Sequence, residues 1–277
     1  MDEQTTDFQG QHPSKLRITY KKEGDGFQCD SICDDGYTFT FYFHHAPQPV
    51  EYSSAGLSPL HAWVMALLDD VTDEYHECSV DKNFISAKFC RDVYNHTKII
   101  KLHDVTRKSG RGLPASIMQE ELHNIKEQEK VWSTAIAAEL VGNSKCPSLI
   151  AVSIYDSKPV HFLLMEVDNI KCREKKREVY DQYIRWMTTM KFLRINVNYD
   201  YNYRMGGADI TDQIRGSYRF DHWLKNYKWW HTISWWGFQL LMVNAYKCYS
   251  VYLKSIYEVP MSRYLFQKMI AHAWMDK

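Results

Sequence analysis

Asp209 and Asp212 stand three residues apart, just after Gly206-Gly207-Ala208. That spacing puts two carboxylates on one face of a helix, here next to Gln213. Ile210, Ile214 and Tyr218 recur at helical spacing on another face, so the segment reads as a helix opened by a sharp glycine turn. Carboxylates on the first turn of a helix can hold a divalent cation through hard oxygen ligands. They can also do something plainer: Asp209 caps the helix, and the positive end of the dipole favours Asp212. The segment alone supports both readings. Two more aspartates occur in marked contexts. Asp2 opens the chain in Met1-Asp2-Glu3-Gln4, with Phe8-Gln9-Gly10 behind it, and Asp81 ends a short strand in Val80-Asp81-Lys82-Asn83-Phe84-Ile85-Ser86.

The elements that must position these residues mix strands and helices. Leu16–Tyr20 alternates, and Phe27–Cys33 and Tyr37–Phe43 flank Asp34-Asp35-Gly36, a hairpin signature. Ser58 and Pro59 start a helix through Leu68, whose apolar face includes Leu60 and Val64. A strand over Glu77–Val80, a helix over Ser86–Tyr94 and a strand over Ile99–Val105 follow. This order predicts an α/β fold with a mixed sheet flanked by helices. Residues 106–115 are basic and glycine-containing, which marks a loop, and a polar helix through Gln119–Glu127 comes next. Trp132–Leu140, Leu149–Tyr155 and Val160–Glu166 are strand-like. The charged run Lys171–Glu178 reads as a solvated connector, and Met190–Val197 as a last strand before the glycine turn. Trp229–Tyr252 is apolar on nearly every side and predicts a buried helix. Ser262 caps a final helix to Trp274.

Bulk properties narrow the function classes. The 277 residues include 19 Tyr, 12 Phe and 9 Trp but only 8 Pro, which is not a disordered composition. The 34 basic residues balance 34 acidic ones, so any nucleic-acid binding must rest on local patches. Seven cysteines without a CxxC pair point to reduced thiols rather than a disulfide framework, and no His/Cys cluster has zinc spacing. The longest apolar stretch, Ile233–Tyr246, is broken by Gln239 and Asn244 and falls short of the roughly 18 residues that span a bilayer. No secretory signal opens the chain. Candidate phosphate contacts are Arg17, Lys21 and Lys22, and the loop cations Arg107, Lys108 and Arg111. Lys82, Arg215 and Arg219 lie near the aspartates. For each, the plainer reading is a solvated surface charge. The tryptophans at 229, 230, 235 and 236 could stack on bases, but their helical spacing favours core.

Taken together, these segments resemble the catalytic domain of the piggyBac transposase family. The resemblance rests on Asp2-Glu3-Gln4 with Phe8-Gln9-Gly10, on Asp81 to Ser86, and on Gly206-Gly207-Ala208-Asp209 with Asp212-Gln213. Tyr218-Arg219, Trp229-Trp230 and Val243-Asn244-Ala245-Tyr246 extend it over nearly the whole chain. It implies a ribonuclease-H-like fold in which Asp2, Asp81 and Asp209 bind two Mg²⁺ or Mn²⁺ ions, with Asp212 as an auxiliary carboxylate. It also implies a β-rich insertion domain over residues 106–190, between core parts 1–105 and 191–277. The implied activity is metal-dependent cleavage and transfer of double-stranded DNA at transposon ends and TTAA targets. A homodimer and a nuclear location are implied as well. An unrelated ribonuclease-H-like nuclease would not explain the Gly-Gly-Ala-Asp and Asn-Ala-Tyr contexts.

Three departures from the family pattern set further expectations. The chain starts one residue before Asp2, Cys248 is the only cysteine after Cys172 where the family carries a cysteine-rich zinc module, and Lys82 replaces the usual asparagine after the second aspartate. The reading is of a transposase domain truncated at both ends, with Asp2 loosely held at a fraying terminus. Its fold survives and transposition fails. The alternative is a non-enzymatic, transposon-derived module for DNA binding or protein interaction.

Overall fold

A computed structural model of the protein describes residues 1–17, 24–47, 52, 56–71, 77–96, 101–106, 135–140, 149–155, 159–165, 171–181, 183–219 and 228–276. In chain order the strands are β1 (Asp2–Asp7), β2 (Leu16–Arg17), β3 (Asp25–Asp34), β4 (Tyr37–Phe43), β5 (Glu77–Ser79), β6 (Lys101–Thr106), β7 (Ala135–Leu140), β8 (Leu149–Tyr155), β9 (Pro159–Leu164), β10 (Cys172–Asp181) and β11 (Trp186–Ile195). The helices are α1 (Pro59–Asp69), α2 (Ala87–His96), α3 (Asn196–Arg204), α4 (Gly207–Ser217), α5 (Trp229–Ser255) and α6 (Arg263–Met275). They form two compact units, one of Met1–Pro49 with Gly206–Lys277 and one of Val50–Met205.

In the first unit, β1, β2 and β4 all pair antiparallel with the central β3. The expected β3–β4 hairpin forms, with Asp35 and Gly36 at φ 44° and 82°. Positive φ at both turn residues matches the twist of the strands. Gly36 is required twice over, because a Cβ there would also lie 2.8 Å from Ile210 Cγ2 of α4. Strand β1 carries no apolar residue, yet Gln4, Thr5 and Thr6 are buried. No hydrophobic alternation announced it; the β3 ladder and the helix lying along it hold it in place. Trp236 and Leu240 of α5 pack on Cys29 with Phe43 beside them. Asn244 of α5 accepts from Thr38 N at 2.9 Å and donates to Thr38 O at 2.7 Å, tying the helix to β4 beside a β-bulge at Ile32/Cys33. Helix α5 is buried on one face, through Trp236, Gln239, Leu240 and Val243, whereas Leu241, Val251 and Tyr252 are exposed. The burial on all sides that its composition predicts is not found, because the helix lies on a sheet instead of passing through a core. No helix among the described residues is long and apolar enough to cross a membrane.

In the second unit a five-stranded sheet runs β5-β6-β9-β8-β7, parallel between β5 and β6 and antiparallel elsewhere. Its core joins Ile150, Val152, Ile154, Phe162 and Leu164 to Ile195 and Val197. Helix α1 starts where Ser58 and Pro59 place it: Ser58 Oγ accepts from His61 N at 3.2 Å. Two expectations fail here. Lys171–Glu178 is not a connector but most of β10, and it pairs over ten residues with β11. Met190–Val197 is not a last strand entering the glycine turn: β11 ends at Ile195, and α3 intervenes before Met205. The nine-residue α3 lacks a side-chain cap, so no start signal marks it. Arg194 donates to Asn198 Oδ1, and Arg204 of α3 pairs with Glu77 at the start of β5.

Candidate functional site

Helix α4 opens at Gly206, and no side chain caps it. Asp209 lies in its first turn, exposed to solvent. The capping role is therefore excluded, and the Asp209 carboxylate is not spent on the backbone. The two glycines also differ. Gly206 has φ −80° and open space around it, the nearest atom to an added Cβ being 3.9 Å away. Gly207 lies against β3, where a Cβ would be 2.7 Å from Cys33 O. The second glycine is needed for close approach, not for the shape of the turn.

Two arginines fix α4 along β1. Buried Arg215 donates to Thr5 O at 3.1 Å and to Asp212 Oδ1 at 3.2 Å, and Arg219 pairs with Asp7 at 2.6 Å. Helix and strand thus run in the same direction, with Gly207 at the Asp2 end and Arg219 at the Asp7 end. Arg215 and Arg219, candidates for phosphate contact, are instead struts between elements. Asp212 is engaged by one of them. Charge at those positions was legible in the sequence; burial was not.

Asp2 sits where α4 begins. Residues two apart on a strand share a face, so Asp2 shares that of Gln4, whose amide donates to Cys33 Sγ at 3.3 Å. Cys33 is also the residue that Gly207 packs on. Asp2 and Asp209 therefore share one end of one face of the first unit. Asp2 is held firmly: it opposes Ser31, Ser31 Oγ donates to Asp2 O at 3.3 Å, and Asp2 Oδ1 accepts from Glu3 N at 2.7 Å. The fraying expected at Asp2 is thus countered by a full ladder. Nearby on β3, Asp30 accepts a hydrogen bond from His44 at 3.0 Å. Burial lowers the imidazole's proton affinity, but the bond and charge of Asp30 outweigh it, so His44 titrates above its ordinary value. Burial, then Asp30 and Asp212, push the Cys29 thiol well up, so it stays neutral.

Asp81 belongs to the second unit, in the turn from β5 to α2. Its Oδ2 accepts from Asn83 N at 3.4 Å and its carbonyl from Phe84 N at 2.9 Å. Ser86 Oγ accepts from Phe89 N at 3.1 Å and caps α2. Asp81 is thus at the carboxyl end of a strand, half-buried, with Lys82 exposed beside it. Among the described residues no group of three or more His, Cys, Asp or Glu side chains is gathered to hold a metal ion. Of the DNA candidates, Arg17 is exposed on β2 opposite Asp25. Lys21, Lys22, Arg107, Lys108, Arg111 and the polar helix at 119–127 lie outside the described residues. The tryptophans divide: Trp236 is buried, whereas Trp229 and Trp230 are partly exposed, Trp229 packing on His12 with ring centroids 4.8 Å apart.

The profile of the family described as Transposase IS4 matches residues 1–246. The chain belongs to that family. Its fold is similar to that of a piggyBac transposase solved by cryo-electron microscopy as a synaptic complex with hairpin DNA, at a TM-score of 0.73 and 18% identity. The match covers 96% of this chain and 50% of that one, so this chain spans about half the length of the transposase it matches. No curated protein matches the chain. The resemblance to piggyBac transposases read from the aspartate motifs is borne out, as is the mixed α/β class.

Proposed function

We propose that this transposase-family chain is a metal-dependent domain for DNA strand cleavage and transfer, with Asp2, Asp81 and Asp209 as its metal ligands. The supporting observation is that Asp209 is exposed on the uncapped first turn of α4, at the end of β1 that carries Asp2. The donor set fits in kind: carboxylate oxygens are the ligands that Mg²⁺ and Mn²⁺ prefer. Bound there, such ions would supply Lewis-acid stabilisation of the attacking and leaving oxygens of an in-line displacement. The chain's own part is positional. The β1–β3 ladder holds the Asp2 backbone, Gly207 seats α4 against β3, and Arg215 fixes the helix axis so that Asp209 stays at the Asp2 end. Asp212, held by Arg215, is an auxiliary ligand through its second oxygen. In this reading Asp81 belongs to a ribonuclease-H-like core of residues 1–105 and 191–277, interrupted by an insertion over residues 106–190. The substrate is duplex DNA at transposon ends, in the nucleus, with the protein working as a homodimer.

A non-enzymatic scaffold is the second reading, favoured by Lys82 beside Asp81, whose charge opposes metal binding. One experiment separates the two. Mg²⁺ or Mn²⁺ is titrated against the full chain while melting temperature and nicking of a duplex are followed. The enzymatic reading expects a metal-dependent rise in melting temperature and nicking, both lost in Asp209→Ala. Neither signal from the wild-type chain would leave the scaffold reading standing.

A further inference from the structure

We propose that the β10–β11 hairpin is a duplex-DNA-gripping arm, whose basic face lies against the phosphates and whose aromatic tip enters the groove. The idea rests on the DNA-directed reading above. The hairpin is a two-stranded sheet of its own, with ten residues paired on each strand. At about 3.4 Å per residue it is roughly 34 Å long, close to one turn of B-DNA. Between Lys171 and Ile195 lie eight basic and three acidic residues, a net +5 in a chain whose net charge is zero. The rest of the chain is therefore acidic overall.

Register separates that charge by face. Cross-strand partners point the same way, and successive residues alternate. One face carries Glu174 and Glu178 against Lys176 and Lys191, a balanced set in which Lys191 pairs with Glu174 at 3.1 Å. The other register positions hold Arg173 opposite Arg194, Lys175 opposite Phe192, and Arg177 opposite Met190, with Asp181 the one acid there. Arg173 and Arg194 are turned to account at the base: Arg173 lies 5.9 Å over the Tyr199 ring, and Arg194 bonds Asn198. Lys175 continues the basic row outward, and Arg177 takes the next position of the same register. Like charges on neighbouring positions of an exposed ribbon repel. An anionic partner removes that penalty.

The tip differs from the shaft. Tyr183 is 99% exposed and Trp186 74% exposed, with Ile184 and Arg185 between them. Arg185 adopts φ 50°, which closes the turn. Large apolar groups this exposed at the end of a basic ribbon suit insertion between or stacking on bases. The major groove of duplex DNA admits a two-stranded ribbon, so width, length and charge agree on one partner. A second copy of this chain would have to bring the same cations against each other.

The test uses the full chain and a fluorescent duplex, with affinity followed across salt concentrations. Lys175→Gln with Arg177→Gln should weaken binding about tenfold and flatten the log–log salt slope by roughly 1.8, for two lost phosphate contacts. Lys176→Gln with Lys191→Gln removes the same charge from the balanced face and should change both far less. Trp186→Ala should weaken binding with the salt slope unchanged. If wild type binds but the Lys175/Arg177 variant matches it at equal melting temperature, the arm is wrong and the DNA reading stands. If wild type does not bind the duplex, both fall. If the variant only converts a dimer to a monomer, the partner is a second copy, and the proposal is overturned.

Discussion

Helix α4 on β1 and the β10–β11 hairpin solve opposite problems. The first is acidic at its working end and over-determined beneath it: Gly207 touches a main-chain carbonyl, and Arg215 and the β1 residues Gln4, Thr5 and Thr6 are buried. The second is basic and carries most of its surface into water, tied down chiefly where Arg194 and Arg173 meet α3. Chemistry on a phosphodiester requires ligands held to about 1 Å, because looser geometry loses roughly a hundredfold in rate. Gripping a backbone by counterion release requires charge and reach but little rigidity. The comparison predicts that substitutions beneath α4 act on stability, while those on the hairpin act on binding alone.

The largest expected effect is at Gly207. Gly207→Val forces α4 off the Cys33 carbonyl and should cost about 3 kcal/mol or more of overpacking. Gly206→Ala should be neutral or stabilising by about 0.5 kcal/mol, since its φ suits any residue. Urea unfolding of the pair decides; equal losses would break the distinction between the two glycines. Next comes Asp212→Ala, which leaves buried Arg215 without its carboxylate and should cost about 1–3 kcal/mol in metal-free buffer. If Asp212 mattered only to a metal, chelated protein would show no loss. Asn244→Ala should fall in the same range, as it abandons both polar groups of Thr38.

The pH effect is smaller. Because His44 is raised by Asp30, its stabilisation is complete below the unfolded value of roughly 6.5 and lost as pH rises through the folded value. His45 is lowered by burial and by His12 and His44, so it acts in the opposite sense. Asp30→Asn isolates the first term. The melting temperature of the wild type relative to that variant should decline from pH 6 to about pH 8, and a flat difference would refute the pair. Smallest of all, Asp209→Ala and Trp186→Ala should each leave metal-free, DNA-free stability within about 0.5 kcal/mol, as exposed substitutions do. A large loss from Trp186→Ala would mean that the hairpin tip is packed.

What the sequence revealed follows from where the energy lies. The β3–β4 hairpin, the Ser58 and Ser262 caps and strand β8 were legible because turn chemistry, capping and apolar runs are local signals. Strand β1 was silent because its burial comes from neighbours distant in sequence. Strand β10 passed for a connector because its charged sequence has no apolar face to betray it. At the site, the family resemblance named Asp2, Asp81 and Asp209, and spacing alone could not choose between cap and ligand at Asp209. Backbone geometry removed the cap. The fate of Arg215 was hidden for a different reason: nothing local distinguishes a cation that meets DNA from one that meets Thr5 O.

The contact between Gly207 and Cys33 also gives this sequence a built-in gauge of selection. Among diverged copies, a side chain at 207 would be purged wherever the folded domain is still of use, whatever that use is. A loss of Asp209 would be purged only where the chemistry is. Copies that keep the glycine and shed the aspartate would mark lineages in which the scaffold outlived the reaction, and drift at both would mark lineages in which neither was retained.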